Sequence, residues 1–193
     1  MVCRGLSSRR GFTLIDMVVV IAVVGILSAI GIPTMMGGID RMRLGQSARE
    51  VERELQMAKS RAVAKGRPIR VRFNCPVAGQ YRIVELIGSP TTPAAADNAA
   101  TRCSDTSYPY PAGDANPTTR PNLDGPIRRL DSTVSFSAVQ TVEFWPDGTA
   151  HHNPAGSTNP WPLIPVAGIT ISLARQGTTS AITINGLGKI QLQ

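Results

Sequence analysis

Between Phe12 and Ile32 the chain places 21 residues with a single charge, Asp16, and that run limits every fold open to it. As a helix, 21 residues at 1.5 Å each reach about 31 Å, one hydrocarbon thickness. The preceding eleven residues carry Arg4, Arg9, Arg10 and Cys3 and no acid. A basic flank before an apolar run marks a membrane segment, an export signal, or both. The three arginines favour a cytoplasmic N-terminus, although Arg41 and Arg43 beyond the run weaken the asymmetry.

Asp16 is the awkward residue. A secretory signal cut near Ala29-Ile30-Gly31, a twin-arginine signal at Ser8–Phe12 and an uncleaved anchor all fit the hydropathy. Each leaves a carboxylate at the apolar run without a partner, at a cost of ~2–3 kcal/mol at mid-bilayer and less near its end.

Arg9-Arg10-Gly11-Phe12-Thr13-Leu14-Ile15-Asp16, followed by Met17–Ala22, resembles the class III signal of type IV pilins and type II secretion pseudopilins. The resemblance implies that a prepilin peptidase cuts after Gly11 and that the new amine of Phe12 is methylated. It also gives Asp16, the fifth residue of the mature chain, the task of pairing with the N-terminal ammonium of the next subunit. That family usually has glutamate there; aspartate keeps the charge but reaches one methylene less. Implied with these are a single-pass inner-membrane protein, an N-terminus in the cytoplasm and a periplasmic head that ends at a pseudopilus or pilus tip.

Beyond the run, Leu44, Ala48, Val51, Leu55, Ala58 and Ala62 recur at alternating spacings of four and three, an apolar stripe on one helix face. Gly66-Arg67-Pro68 supplies a stop. Pro33, with Gly31, Gly37 and Gly38 around it, predicts a helix break, as a kink or partial melting, over residues 31–38. Strands are expected at Ile69–Phe73, Tyr81–Leu86, Val134–Phe136, Val142–Phe144 and Lys189–Leu192. A hairpin of Ile169–Leu173 and Ile182–Ile184 should turn at Gln176-Gly177. Two polar inserts, about 88–129 and 147–165, interrupt them and are the natural places for partner contacts.

The expected organisation is a leader (1–11), an apolar helix (12–33), an amphipathic helix (34–66) and a β-rich head (67–193). The fold class is α+β, with the helix packed on an antiparallel sheet. Glu54–Gly66 followed at once by a strand, then Val142-Glu143-Phe144-Trp145-Pro146-Asp147-Gly148-Thr149-Ala150 and a terminal Gly188-Lys189-Ile190-Gln191-Leu192, resemble the GspH/FimT branch of minor pseudopilins and minor pilins. That resemblance implies a structural subunit of a secretion pseudopilus or a type IV pilus. Its partners would be other pseudopilins or minor pilins, and secreted cargo in the secretion case.

Removing the leader lowers the formal net charge from +7 to +4 and leaves two cysteines, Cys75 and Cys103. In an extracytoplasmic head they would form a disulfide closing a loop of about 29 residues, worth ~3 kcal/mol; two buried thiols are the alternative. His151 and His152, near Asp147, are adjacent and lack further ligands, so polar loop histidines are expected rather than a metal site. No phosphate loop or triad accompanies them, and neither cofactor nor catalysis is expected. The competing function is DNA binding: Arg61, Lys65, Arg67, Arg70 and Arg72 cluster without an intervening acid. Some FimT-type minor pilins bind DNA through an arginine-bearing C-terminal motif, but the matching tail here has only Lys189.

Overall fold

In a computed structural model the described residues are 12–111, 124–154 and 158–193, without the side chains of 32–36. The backbone opens with one 52-residue helix, α1 (Leu14–Lys65). The chain divides at Ile39/Asp40 into an N-terminal unit and a compact second unit, Asp40–Gln193. Residues 31–38, where a kink or partial melting was expected, keep a helical backbone and do not melt. A mid-helix proline forfeits one backbone hydrogen bond and crowds one carbonyl, and its own φ is already helical. The flanking turns carry the helix across.

Among its described residues the second unit has nine strands: β1 (Ile69–Phe73), β2 (Gln80–Glu85), β3 (Arg128–Arg129), β4 (Ser135–Ala138), β5 (Val142–Phe144), β6 (Ala150–His152), β7 (Ile169–Arg175), β8 (Thr178–Ile184) and β9 (Ile190–Leu192). They form two antiparallel sheets where one was expected, in the orders β3-β2-β1-β5-β6 and β4-β7-β8-β9. All six stripe residues of α1 are buried, at 3% exposure or less. They share one core with Ile69, Val71, Tyr81, Ile83 and Phe144 of the first sheet and Ile171, Leu173, Ile182 and Ile184 of the second. Phe136 of β4 joins the sheets by edge contacts to Phe73 and Tyr81, with ring centroids 5.1 and 6.0 Å apart.

The β7–β8 hairpin turns where expected. Gln176 and Gly177 both have positive φ (44° and 78°), as a two-residue turn matched to strand twist requires.

The first insert is not a free loop. Over its described residues it contains a short helix, α2 (Ala95–Asn98), a 3-10 turn (Ala100–Cys103) and strand β3. It covers the face of the first sheet turned away from α1, so β1 and β2 are buried on both sides. Cys75 and Cys103 are joined by a disulfide with Cα atoms 5.2 Å apart, which ties this cover to the end of β1. The second insert likewise contributes β6, a bridge from His151 to Leu163, and buried Trp161 and Ile164. Those pieces were missed because short, His-containing and Pro-flanked segments carry no periodic signal.

Two family-type elements of the sequence meet on α1. In the turn Trp145–Thr149, Gly148 has φ +85° and donates its N–H to Trp145 O at 2.9 Å. Gly188 has φ +67°, and a Cβ there would lie 2.5 Å from Gly148 O and 2.8 Å from Lys59 Nζ. Lys59 in turn donates to Leu187 O (3.1 Å) and Gly188 O (3.0 Å). Gly188→Ala should therefore cost more than the ~1–2 kcal/mol of the left-handed backbone alone, because backbone must move. Gly177→Ala, also at positive φ but with nothing within 4 Å, should lose only the conformational part. Equilibrium denaturation of the two variants checks the order; equal losses would show that the Gly148–Gly188 contact is not tight.

Candidate assembly interface

The N-terminal unit has its chemistry at its start. Thr13 caps α1: its Oγ1 accepts the Asp16 N–H at 3.4 Å, while Asp16 Oδ2 accepts from Thr13 N (3.0 Å) and Thr13 Oγ1 (2.8 Å). This is a reciprocal capping box, with an acid in the first turn where the helix dipole favours it. The signal was present in Thr-x-x-Asp but was not read, because the expected task of Asp16 lay outside its own subunit. Phe12 is 84% exposed. Gly11 lies outside the described residues, and Pro33 is described only as helical backbone.

From Leu14 to Gly31 the mean hydropathy is 2.6 and none of the span is buried. Leu14, Ile15, Val18, Ile21, Val24, Leu27 and Ile30 are all more than half exposed, and they point in every direction around the helix. Such a surface is not a groove for one partner. It needs an apolar medium on all sides, lipid or other helices.

On the second unit, the five residues read as a phosphate-binding patch do not form one solvent-facing set. Arg61 and Lys65 stay on the helix surface, and Arg67 is exposed but pairs with Glu85 at 2.8 Å. Arg70 is only 3% exposed: it pairs with Glu143 at 2.8 Å, donates to Asp97 O and Asn98 Oδ1, and lies 3.9 Å over the Trp161 ring. Arg72 is half-buried and donates to Ala99 O at 2.7 Å. The correction has a physical cause, since the sheet face taken for solvated is the one the first insert covers.

Under that cover lie further buried arginines that sequence reasoning passed over. Arg82, fully buried, donates to the carbonyls of Gly125, Arg102, Ser104 and Tyr108. Arg102, also fully buried, pairs with Asp124 at 2.8 Å and Asp97 at 3.3 Å. Asp97 accepts the N–H groups of Ile87, Gly88 and Ala94, which fixes the start of the insert. A hint was available in the charge-bearing alternation of Ile-Arg-Val-Arg-Phe beside an insert holding Asp97 and Asp124.

The histidines have separate partners. His151 is buried on β6, stacked on Trp145 at 3.7 Å, with Nδ1 2.8 Å from Trp161 O. It is therefore a strand residue and not the polar loop residue expected. His152 Nδ1 meets Gln140 Oε1 at 2.6 Å. Among the described residues no group of three His, Cys, Asp or Glu side chains could hold a metal ion.

Comparison with known proteins adds the following. Residues 47–188 match the family described as type II transport protein GspH, and residues 6–32 match the prokaryotic N-terminal methylation motif. Type II secretion system protein H of Xanthomonas campestris is 33% identical over 61 residues, 32% of this chain and 36% of that protein. A fimbrial protein of Pseudomonas aeruginosa is 35% identical over 78 residues, 40% of this chain and 49% of that one. The chain thus spans between a third and a half of the relatives it matches. Among solved structures, the type IV minor pilin FimU of P. aeruginosa aligns with a TM-score of 0.45 at 17% identity, covering 80% of this chain and 90% of that one. The minor pseudopilin EpsH of Vibrio cholerae aligns with a TM-score of 0.44 at 12% identity, covering 78% and 96%.

The head should lose stability on acidification. Asp147 is held below its usual range first by the Thr149 hydroxyl and then by the Thr149 N–H; Thr133 does the same for Asp131. A depressed carboxyl stabilises the fold above its unfolded value, and that contribution disappears as pH falls through the folded value. His152 is pushed below its ordinary 6.5, by desolvation first and then by His151. Its neutral form is favoured by folding, so it adds a loss in the same direction just below pH 6.5. Melting temperature should fall a little just below pH 6.5 and again below pH 3.8, with a smaller second fall in a Thr133→Val, Thr149→Val variant. A flat profile would exclude these contributions.

Proposed function

Because the chain belongs to the GspH family, matched from residue 47 to residue 188, we propose that it is a minor pseudopilin of a type II secretion system, a structural subunit without catalytic activity. The observation that carries this reading is the apolar helix Leu14–Gly31, exposed on every side behind a basic leader. A helix of this kind resides first in a bilayer and afterwards among like helices, where apolar packing replaces lipid.

On this reading residues 1–11 are a leader, removed after Gly11 by a prepilin peptidase, and the amine of Phe12 is methylated. The N-terminus faces the cytoplasm and the head the periplasm. The subunit joins or primes the tip of a short pseudopilus with other pseudopilins, and its head meets neighbouring subunits or cargo. Asp16 sets axial register by meeting the ammonium of the adjacent subunit, a buried charge that requires a partner.

The match to fimbrial proteins supports a second reading, a minor pilin of a type IV pilus. DNA uptake has less support within it. A phosphate backbone needs several free cations, whereas Arg70 is buried in an ion pair and Arg67 shares its charge with Glu85.

Mass spectrometry of the protein from its own membranes tests the processing: the mature chain should begin at methylated Phe12. A host lacking prepilin peptidase should retain residues 1–11. Any other mature N-terminus would remove the assembly reading. A gene deletion then separates the two machines, since loss of secreted proteins with intact pili assigns secretion and the reverse assigns the pilus.

A further inference from the structure

Among the described residues each sheet ends in two edge strands, and three of these four edges are blunted. An open edge invites pairing with another chain, and folds suppress it by short strands, bulges or covering segments. β3 has only two residues, and β4 bulges between Phe136 and Ala138. β6 is covered by the second insert, where Ile164 N–H donates to Ala150 O at 3.0 Å and His152 N–H to Pro162 O at 3.2 Å. β9, Ile190-Gln191-Leu192, has none of these devices and contains neither proline nor charge.

The ladder shows which groups this edge presents. Gln193 N–H donates to Ala181 O at 2.8 Å, and Asn185 N–H to Lys189 O at 3.1 Å. Hydrogen-bonded pairs alternate along an antiparallel ladder, so Gln191 bonds Thr183 while Ile190 and Leu192 turn their N–H and C=O groups outward. No described residue meets those four groups. The Ile190 and Leu192 side chains lie on the core side, opposite fully buried Ile184 and Ile182, but are only half-buried. Gln191 is exposed on the other face. By alternation Lys189 shares that face; it is exposed and makes no ion pair among the described residues.

We infer that the free edge of β9 docks an extended segment of another protein chain, which adds a fifth strand to the four-stranded second sheet. N–H and C=O groups repeating every second residue are matched by the backbone of another strand. Antiparallel pairing, as in both sheets, then sets the side chains of that segment. Its residues opposite Leu192 and Ile190 are apolar, because they extend the core face. The residue between them, opposite Gln191, is polar, and the next, opposite Lys189, is acidic. A second copy of this chain fits less well. Two copies pairing β9 with β9 are related by a two-fold axis normal to the sheet, and that rotation reverses α1, which packs on the sheet. Subunits inserted in one membrane hold α1 in the same direction, so the occupant is a different chain. That last step rests on the membrane reading of the N-terminal helix; the open edge does not.

The test is a titration of the full chain in lipid nanodiscs with acetyl-Ser-Val-Thr-Val-Glu-Ser-amide, followed by the backbone amide NMR signals of β9. The Ile190 and Leu192 signals should move saturably and their hydrogen exchange should slow, while Gln191, already bonded to β8, changes little in exchange. N-methylation of either Val removes an N–H that faces β9 and places a methyl group in the pairing line, so it should weaken binding at least about tenfold. N-methylation of Thr, whose N–H faces away, should be tolerated. Lys in place of the peptide's Glu should weaken binding by less than either Val change. Leu192→Pro removes an outward N–H without breaking a bond to β8 and should abolish the response. Three results would overturn the inference: no saturable movement, equal loss from N-methylation of Thr and of Val, or the same shifts on raising protein concentration alone, the sign of self-pairing. The peptide comparisons use the unmodified chain, so they decide even if the variant misfolds, and they do not depend on which membrane or machine holds the subunit.

Discussion

Both sheets of the head are assembled against one narrow surface, the stripe from Leu44 to Ala62 on α1. Three of its six residues are alanine, and all three are completely buried. Small side chains let a helix lie close to a sheet, so the larger residues opposite, such as Ile69, Phe144 and Leu173, fill the remaining volume. Neither sheet offers a second helix of comparable length to cover it. Substitutions that widen the stripe would separate α1 from β1 and β5 on one side and from β7 and β8 on the other. The same helix continues, N-terminal of Ile39, into a segment with no such stripe and apolar residues all round. One covalent element thus satisfies two different solvents, and the change from all-round to one-sided hydrophobicity is written along its own sequence.

The outer face of the first sheet follows a different rule. There the sheet is covered by an irregular insert, which has little apolar surface to bury. Charges take over as the organising contacts: Arg82 gathers four backbone carbonyls that no regular strand would satisfy, and Asp97 gathers three N–H groups. An unpaired buried carbonyl costs about 1–3 kcal/mol, so each arginine stabilises chiefly by preventing several such losses together. Losing a buried partner such as Asp124 would leave Arg102 short of compensation, the expensive case at about 3–5 kcal/mol. The disulfide from Cys75 to Cys103 lies within the same construction and shortens the path over which it must close.

This division explains what was legible in the sequence. Elements governed by apolar periodicity were readable: the α1 stripe, β1, β5, β9 and the β7–β8 hairpin with its Gln176-Gly177 turn. Elements governed by ion pairs were not, because Arg70 and Arg72 alternate with apolar residues as they would on a solvated strand. Only the covering insert distinguishes the two cases, and its fold depends on contacts far away in sequence, from Arg70 to Glu143 for example. β6 escaped for another reason. Three residues containing two histidines have no period, and their pairing with β5 is decided by the Trp145–Thr149 turn. Pro33 is the converse case, a strong local breaker inside a run whose backbone stays helical.

The charge arithmetic changes accordingly. Three arginines lie in the N-terminal eleven residues, and among the described residues four more, Arg70, Arg82, Arg102 and Arg175, are buried. A basic chain is then a weak argument for a polyanionic partner, because potential at a surface depends on cations left uncompensated there. Asp16 illustrates the same point at the other end of the molecule. Its shorter side chain reaches back to Thr13 and is held by two hydrogen bonds on one oxygen. A carboxylate anchored in this way keeps its second oxygen oriented, which is what the proposed contact with the next subunit's amine would require in an apolar medium. The loss of one methylene relative to glutamate therefore trades reach for fixed direction, and cut after Gly11 the chain would begin with Phe12, one residue before the Thr13 cap that fixes it.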